Sequence, residues 1–425
     1  MLDRVYVETH GCSTNFADGE VIAGCLSKAG YEISNTIEDA EALVYNTCAV
    51  KMTTENRMIS LLKKAPKDKK LIVTGCLPLI NFERLKSEIN FDAALGPAPG
   101  TGIVDALEKV KRGQKIIDLK NDLKPPCLLP KIFRNRVISI VPVSYGCLGS
   151  CSYCCVRHVR GKLRSYSVED VLARIKRDLD LEAKEVWLSS QDIGTYGRDI
   201  EENLANLLNR VVELKGEFYV RVGMMNPNSA LEILDELVEA YVDPKIFKFL
   251  HIPVQSGDDE VLRRMNRPYT VEDFNEVVES FRKRMPRITL STDIICGFPG
   301  ESGEAFESSL RLLKEVEPDI LNLSKFSVRP NTPARNAMQI PQKTIKERSK
   351  RIGEKHKEIA LEKNRKWLNW KGPILVDEHK NGSWIGRNFA YKPITLKTEE
   401  ELEGRVRIIQ IKQAYPTYLA AEIAR

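Results

Sequence analysis

Short apolar runs and amphipathic stretches alternate along residues 1–120. Arg4-Val-Tyr-Val-Glu-Thr9 has strand composition, and Asp18 to Ala29 carries an apolar stripe at helical spacing that Gly30 ends. Ala42-Leu-Val-Tyr45 and Leu71-Ile-Val73 are further short strands, with helices predicted to begin near Thr53, Asn81 and Thr101. Such alternation predicts a small parallel sheet covered by helices. Lys120 to Arg136, with Pro125, Pro126 and Pro130 among basic residues, reads as a linker.

A second alternating array follows. Strands are predicted at Val137–Val143, Glu185–Leu188, Phe218–Val222, Phe247–Ile252, Ile288–Ile295 and Ile320–Phe326. Helical patterns lie between them, at Val168–Leu179, Leu231–Tyr241, Val271–Arg284 and Ala305–Val316. Six strand–helix units fit a partial (β/α)6 barrel that stays open, since closure takes eight. A polar helix rich in Lys and Arg covers Ile340 to Trp370. Beyond it, short β segments (Pro373–Val376, Ser383–Ile385, Arg405–Ile411) separated by Gly and Pro predict a small β-barrel. The expected division is therefore 1–120, 133–365 and 366–425.

The chain has 425 residues, 42% hydrophobic and 29% charged, which suits two or three globular domains and excludes a disordered chain. No apolar run approaches a membrane span, and Met1-Leu2-Asp3-Arg4 does not open a signal peptide, so no membrane partner is expected. Lys plus Arg (65) exceeds Asp plus Glu (59) by only 6, which permits a polyanionic partner without demanding one. Ten cysteines with no export signal point to a reducing, cytoplasmic setting, where thiolates serve metals or catalysis more often than disulfides.

Tyr145-Gly-Cys147-Leu-Gly-Ser-Cys151-Ser-Tyr-Cys154 sets three cysteines at C-x3-C-x2-C spacing, on a loop after the first strand of the barrel. Three thiolates on a Gly-bearing loop suit one iron–sulfur cluster, and three ligands for four irons leave one iron open for chemistry. Two alternatives stay open here. One is a closed zinc site that draws four ligands from these cysteines, Cys155 and His158; the other has Cys155 replace Cys154. Cys154 is preferred because Tyr153 then directly precedes the third ligand, where its ring can cover a bound adenine. Cys12, Cys48 and Cys76 each follow a predicted strand of the first sheet. The carboxyl ends of such strands form one rim where ligands bind, and helix N-termini there offset thiolate charge. A second cluster is one reading of this set, and chance placement of free cysteines is the other. Cys25 reads as a small core residue, while Cys127 and Cys296 have no partner at ligand spacing.

Taken together, these residues resemble the methylthiotransferase branch of the radical S-adenosylmethionine (SAM) enzymes, over essentially the whole chain. The resemblance rests on Glu8-Thr-His-Gly-Cys-Ser-Thr-Asn15, Asn46-Thr-Cys-Ala-Val50, Val73-Thr-Gly-Cys-Leu-Pro78 and the Cys147/Cys151/Cys154 triad. It continues in His251-Ile-Pro-Val-Gln-Ser-Gly257, Asp293-Ile-Ile-Cys-Gly-Phe-Pro-Gly-Glu301 and Arg329-Pro-Asn-Thr-Pro-Ala334. Cys154-Cys-Val-Arg-His-Val-Arg-Gly-Lys-Leu-Arg-Ser-Tyr166 is similar to the archaeal and eukaryotic group that modifies N6-threonylcarbamoyladenosine in tRNA. His10 and Cys155 depart slightly from the usual pattern. The order of domains implied is an N-terminal iron–sulfur α/β domain, a radical-SAM barrel and a C-terminal RNA-binding barrel of the TRAM type.

The resemblance implies two [4Fe-4S] clusters and SAM as cofactors. Carbon 2 of adenine is unactivated, so a radical must take its hydrogen, and the cofactor supplies it. The Cys147/Cys151/Cys154 cluster would generate a 5′-deoxyadenosyl radical from SAM; the Cys12/Cys48/Cys76 cluster would hold the sulfur that is delivered as a methylthio group. Around them, Ser189-Ser-Gln191-Asp192 would receive the SAM ammonium or form a polar turn. Arg221 would meet a carboxylate of SAM or of the threonyl group, unless it forms a surface ion pair. Gly297-Phe-Pro-Gly300 would let adenine approach the backbone or serve as a plain turn. Expected partners are tRNA, at adenosine 37 of the anticodon loop, an electron donor such as ferredoxin or flavodoxin, and a sulfur source. Between Pro341 and Trp370 ten basic residues face four acidic ones, and this helix with an aromatic-bearing barrel suits RNA contact, although a solvated charged helix explains the run alone. Rival readings are a methylthiotransferase acting on isopentenyladenosine or a ribosomal-protein aspartate, and a non-catalytic RNA-binding iron–sulfur or zinc protein.

Overall fold

The computed structural model describes residues 3–424. Its first layer is an all-parallel sheet of β1 (Arg4–Thr9), β2 (Glu32–Ser34), β3 (Ala42–Thr47), β4 (Lys70–Gly75), β5 (Ala93–Leu95) and β6 (Ile116–Asp118). Their spatial order is β2-β1-β3-β4-β5-β6. The three predicted strands are its central ones. The other three have three residues each, too short for any period to show in the sequence. Every residue of β3 is buried, because helices cover both faces: Leu43 and Tyr45 enter one core, Ala42 and Val44 the other.

The second layer holds β7 (Ile138–Pro142), a two-stranded ribbon of β8 (Ser144–Tyr145) and β9 (Arg164–Ser165), then β10 (Glu185–Ser189) and β11 (Tyr219–Val222). It continues with β12 (Phe249–His251), β13 (Thr289–Cys296) and β14 (Ile320–Lys325). Two parallel sheets, β11-β10-β7 and β12-β13-β14, meet through one bridge between Val220 and Ile246, so six strands form an open barrel. Val141, Leu188, Val222, Ile252 and Ile294 point outward under the helices. Their alternation leaves Trp187, Arg221, His251, Asp293 and Asn322 facing inward. Thr270 and Asp273 form a capping box that starts the helix Val271–Arg284 where its pattern begins. The predicted helix Leu231–Tyr241 is instead two, Pro227–Leu231 and Leu234–Ala240.

Residues 119–137 contain no helix or strand, yet they are pinned rather than loose. Lys131 is buried, with Nζ 2.7 Å from Asp178 and 3.0 Å from Ser139 Oγ, and Ile132 N–H donates to Glu20 O. Gly24 has no room for a Cβ, which would lie 2.3 Å from Pro130 O. The linker is thus a strap between the N-terminal helix Ser13–Lys28 and the barrel.

The helix Gln342–Arg365 buries Ile345, Ile352 and Ile359 at seven-residue spacing and packs on β14 and the helix before it, leaving its charged faces outside. Five strands then close a barrel in the order β15 (Lys371–Lys380), β16 (Ser383–Arg387), β17 (Pro393–Leu396), β19 (Leu419–Ile423), β18 (Val406–Ala414). Strands β17 and β19 lack a clear signal in the sequence. The aromatics of this region divide: Trp367 and Trp384 are buried, while Phe389 and Tyr415 are exposed. Tyr391 inserts against Phe247 and Phe249 at the N-terminal mouth of the larger barrel, 4.8 and 5.1 Å between ring centres. Among the described residues, no helix is long and apolar enough to cross a membrane.

Candidate active site

Strand order brings the N-terminal trio together. β1, β3 and β4 are neighbours, and the order reverses between β1 and β3, so Cys12 and Cys48 flank the crevice where such sheets bind ligands. Cys12 is the N-cap of the helix Ser13–Lys28, and Cys76 opens the short helix Leu77–Ile80. The loops touch: a Cβ on Gly11 would lie 2.9 Å from Cys48 Cβ, and Cys76 N–H donates to Thr47 O at 2.8 Å. Gly75, at φ +91°, would place a Cβ 2.4 Å from the same carbonyl, so a glycine is required there. Burial pushes the Cys76 thiol up to about 12 and raises that of Cys48 as well, so thiolates here need a nearby cation.

The second trio sits at the carboxyl end of the barrel strands, on the loop after β8. Gly149 lies between two sulfurs, since a Cβ on it would be 3.3 Å from Cys147 Sγ and 3.7 Å from Cys151 Sγ. Backbone N–H groups of Gly149 and Val156 point at Cys147 Sγ (3.3 Å) and Cys154 Sγ (3.4 Å). Donors aimed at sulfur are what a buried thiolate cluster needs, and burial otherwise holds Cys147 near 11 and Cys154 near 12. Cys155 turns the other way, into the N-terminal core beside Val159 and Ile80. Among the described residues no three His, Cys, Asp or Glu side chains converge tightly enough to chelate a single ion; a four-iron cluster spaces its thiolates more widely. Both trios therefore fit thiolate-held clusters by their donor set and surroundings.

The neighbouring residues divide. Tyr153 stays beside the trio, its ring edge-on to Phe298 and its hydroxyl accepting from Arg267 Nη2 at 2.5 Å. Gln191 Oε1 accepts from Gly146 N–H at 2.7 Å and so fixes the start of the cysteine loop. Ser189 is used at the domain seam, where Thr14 Oγ1 lies 2.7 Å from its buried hydroxyl. Asp192 is likewise internal, bonded to Asn226 and Ser229. Arg221 is no surface ion pair: its guanidinium stacks over Trp187 and Phe249, each at 4.9 Å, inside the barrel. At Gly297 the side-chain space is taken by Ile345, 2.5 Å from a would-be Cβ, so helix packing and a φ of +81° account for the glycine.

Two arginines, Arg160 buried and Arg267 half-buried, escape sequence reading. Arg267 joins Tyr153 to Asn226, whose amide is bonded to Asp192. Arg160 reaches into the first domain, bonded to Asp18 at 2.6 Å and to Asn15 at 2.9 Å. Their partners are distant in the chain, and an arginine in a basic run carries no local sign of burial. Deeper in the barrel, His251 Nε2 lies 3.0 Å from Asp293 Oδ1, which also accepts from Asn322 at 2.6 Å.

Known proteins resemble this chain in sequence and in fold. Residues 141–313 match the Radical SAM superfamily, and residues 4–96 match Uncharacterized protein family UPF0004. The chain is 43% identical to a "Probable threonylcarbamoyladenosine tRNA methylthiotransferase" of Pyrococcus horikoshii, covering 99% of both. It is 36% identical to the Homo sapiens "Threonylcarbamoyladenosine tRNA methylthiotransferase", over 97% of this chain and 72% of that one. Among solved structures, the fold is similar to the radical S-adenosylmethionine methyltransferase TsrM from Kitasatospora setae, with a TM-score of 0.57 at 14% identity, covering 79% of this chain and 77% of that one. OxsB, a cobalamin-dependent S-adenosylmethionine radical enzyme, aligns with a TM-score of 0.51 at 12% identity, over 84% and 56%. With cysteine trios on facing domains and relatives alike from end to end, the chain belongs to the threonylcarbamoyladenosine tRNA methylthiotransferase family of radical SAM enzymes.

Proposed function

We propose that this enzyme converts N6-threonylcarbamoyladenosine at position 37 of tRNA to its 2-methylthio form. The observation that carries this reading is the pairing of two cysteine trios, on the rim of the α/β sheet and at the mouth of the barrel, across one seam. Cys147, Cys151 and Cys154 would hold the cluster that binds SAM, and Cys12, Cys48 and Cys76 the cluster that carries sulfur. When bound, these groups supply one-electron cleavage of SAM and the transferable sulfur.

The chain's own residues orient and seal. Tyr153 and Arg267 fix one wall, Gln191 holds the cysteine loop, and the buried Arg329–Glu55 pair fastens the end of the barrel to the first domain. His251, Asp293 and Asn322 offer donors and acceptors inside the barrel to polar groups of the substrate or SAM. A ferredoxin- or flavodoxin-like protein would deliver electrons, and a separate sulfur source would reload the N-terminal site. The test is mass spectrometry of tRNA nucleosides after reaction of the reconstituted enzyme with tRNA that bears or lacks the threonylcarbamoyl group. A 2-methylthio product on the modified tRNA alone supports the reading; product on isopentenyladenosine or on a ribosomal protein instead would overturn the substrate.

A further inference from the structure

The dipeptide Arg160-Gly161 ends the short helix after the barrel trio, and it reaches both sets of cysteines. Gly161 O accepts from Cys147 N–H at 3.2 Å, with Gly161 at φ +69° and ψ −157°, a conformation that is essentially glycine's alone. The Arg160 side chain runs the other way, into the first domain, and is 2% exposed. Its Nη1 donates to Asp18 Oδ2 at 2.6 Å and its Nη2 to Asn15 Oδ1 at 2.9 Å. Asn15 in turn donates to His10 O at 2.5 Å, and its own carbonyl accepts from Asn46 Nδ2 at 2.7 Å. The loops that carry Cys12 and Cys48 thus hang on the residue that Arg160 grips.

Charge decides what the arrangement does. Thiolates and cluster sulfides gather negative charge at a seam that buries Cys76 and half-buries Cys48 while Cys12 is exposed, and a cation on its buried side acts more strongly than in water. The Asn15 amide that Arg160 holds lies against Gly11, beside Cys12, and reaches toward Thr47 O, just before Cys48, at 3.4 Å, while the helix ending in Arg160 packs on the helix that Cys76 opens, so the guanidinium sits next to all three cysteine loops. We propose that Arg160 is a positioning residue that ties the N-terminal trio to the barrel trio and raises the reduction potential of the cluster which the N-terminal trio binds. This rests on the reading that Cys12, Cys48 and Cys76 hold a cluster. Reduction adds negative charge, so loss of the cation disfavours it and loss of Asp18 favours it.

The test uses the full chain with Cys147, Cys151 and Cys154 changed to Ala, so that only the N-terminal cluster remains, and follows reduction by electron paramagnetic resonance during a redox titration. In that background Arg160→Gln is expected to lower the reduction equilibrium at least tenfold, about 59 mV for one electron. Asp18→Asn is expected to raise it, and Arg160→Lys to stay within about threefold, because a Lys keeps the positive charge. Opposite shifts from two partners of one ion pair are not what a packing defect produces. Should Arg160→Gln lose its iron, the sign of the Asp18→Asn shift decides. Shifts in the same direction, or none, overturn the proposal while leaving the cluster intact; a background chain that binds no iron overturns the cluster reading itself.

Discussion

Glu20 sits where the N-terminal helix meets the strap, and burial pushes its carboxyl up to about 7 in spite of Lys131 nearby. An acid whose folded pKa lies above its unfolded value stabilises the fold fully below about 4.5, and that stability is lost as pH rises toward 7. Unfolding free energy should therefore fall between pH 5 and 7, and Glu20→Gln should flatten this slope by about 1–3 kcal/mol, as read by denaturant titrations across that range. At the cysteine loop, Cys154 has a backbone donor on its sulfur while Cys155 is buried in the apolar core of the first domain. Cys155→Ser should keep reductive SAM cleavage within a few-fold, whereas Cys154→Ser should abolish it. The reverse result would move the ligand by one residue. The cysteines were legible because chemistry concentrates in their type and spacing. Arg160 and Arg267 were not, because their meaning lies in Asp18 and Tyr153, far along the chain.

At the level of elements, the barrel helix Val271–Arg284 can be read to the residue, because one buried face and a capping box define it, whereas the uncapped stretch around Leu231–Tyr241 hides a break between two helices. The edge strands β2, β5 and β6 are too short to carry a period, and the strap carries none although it is pinned through Lys131. The loop from β16 to β17 has the same character. Its Tyr391 stands at φ +59° and seals the larger barrel against Phe247 and Phe249. Tyr391→Ala should cost about 3–5 kcal/mol, since it empties a buried aromatic site, and the loss should appear as a lowered unfolding midpoint with iron content retained at low temperature.

Across the whole molecule, the C-terminal barrel is more than an RNA handle. Lys392 pairs with buried Asp319 at 2.7 Å, so removing residues 371–425 leaves that carboxylate with Lys363 alone, 3.2 Å away, as well as uncovering the barrel floor. Such a truncated chain should lose barrel stability and SAM cleavage together. The cleaner probe of RNA contact is the exposed pair Arg405 and Lys412. Replacing both by Ala should leave SAM cleavage intact and lower the salt dependence of tRNA binding by about one phosphate contact each. The division of labour between the two trios is the central claim, and one variant tests it most directly. With Cys12, Cys48 and Cys76 all changed to Ala, and iron at the barrel site verified, the enzyme should still cleave SAM to 5′-deoxyadenosine and form no methylthio nucleoside. Methylthiolated tRNA from that variant would contradict the account, because the sulfur would then be held elsewhere.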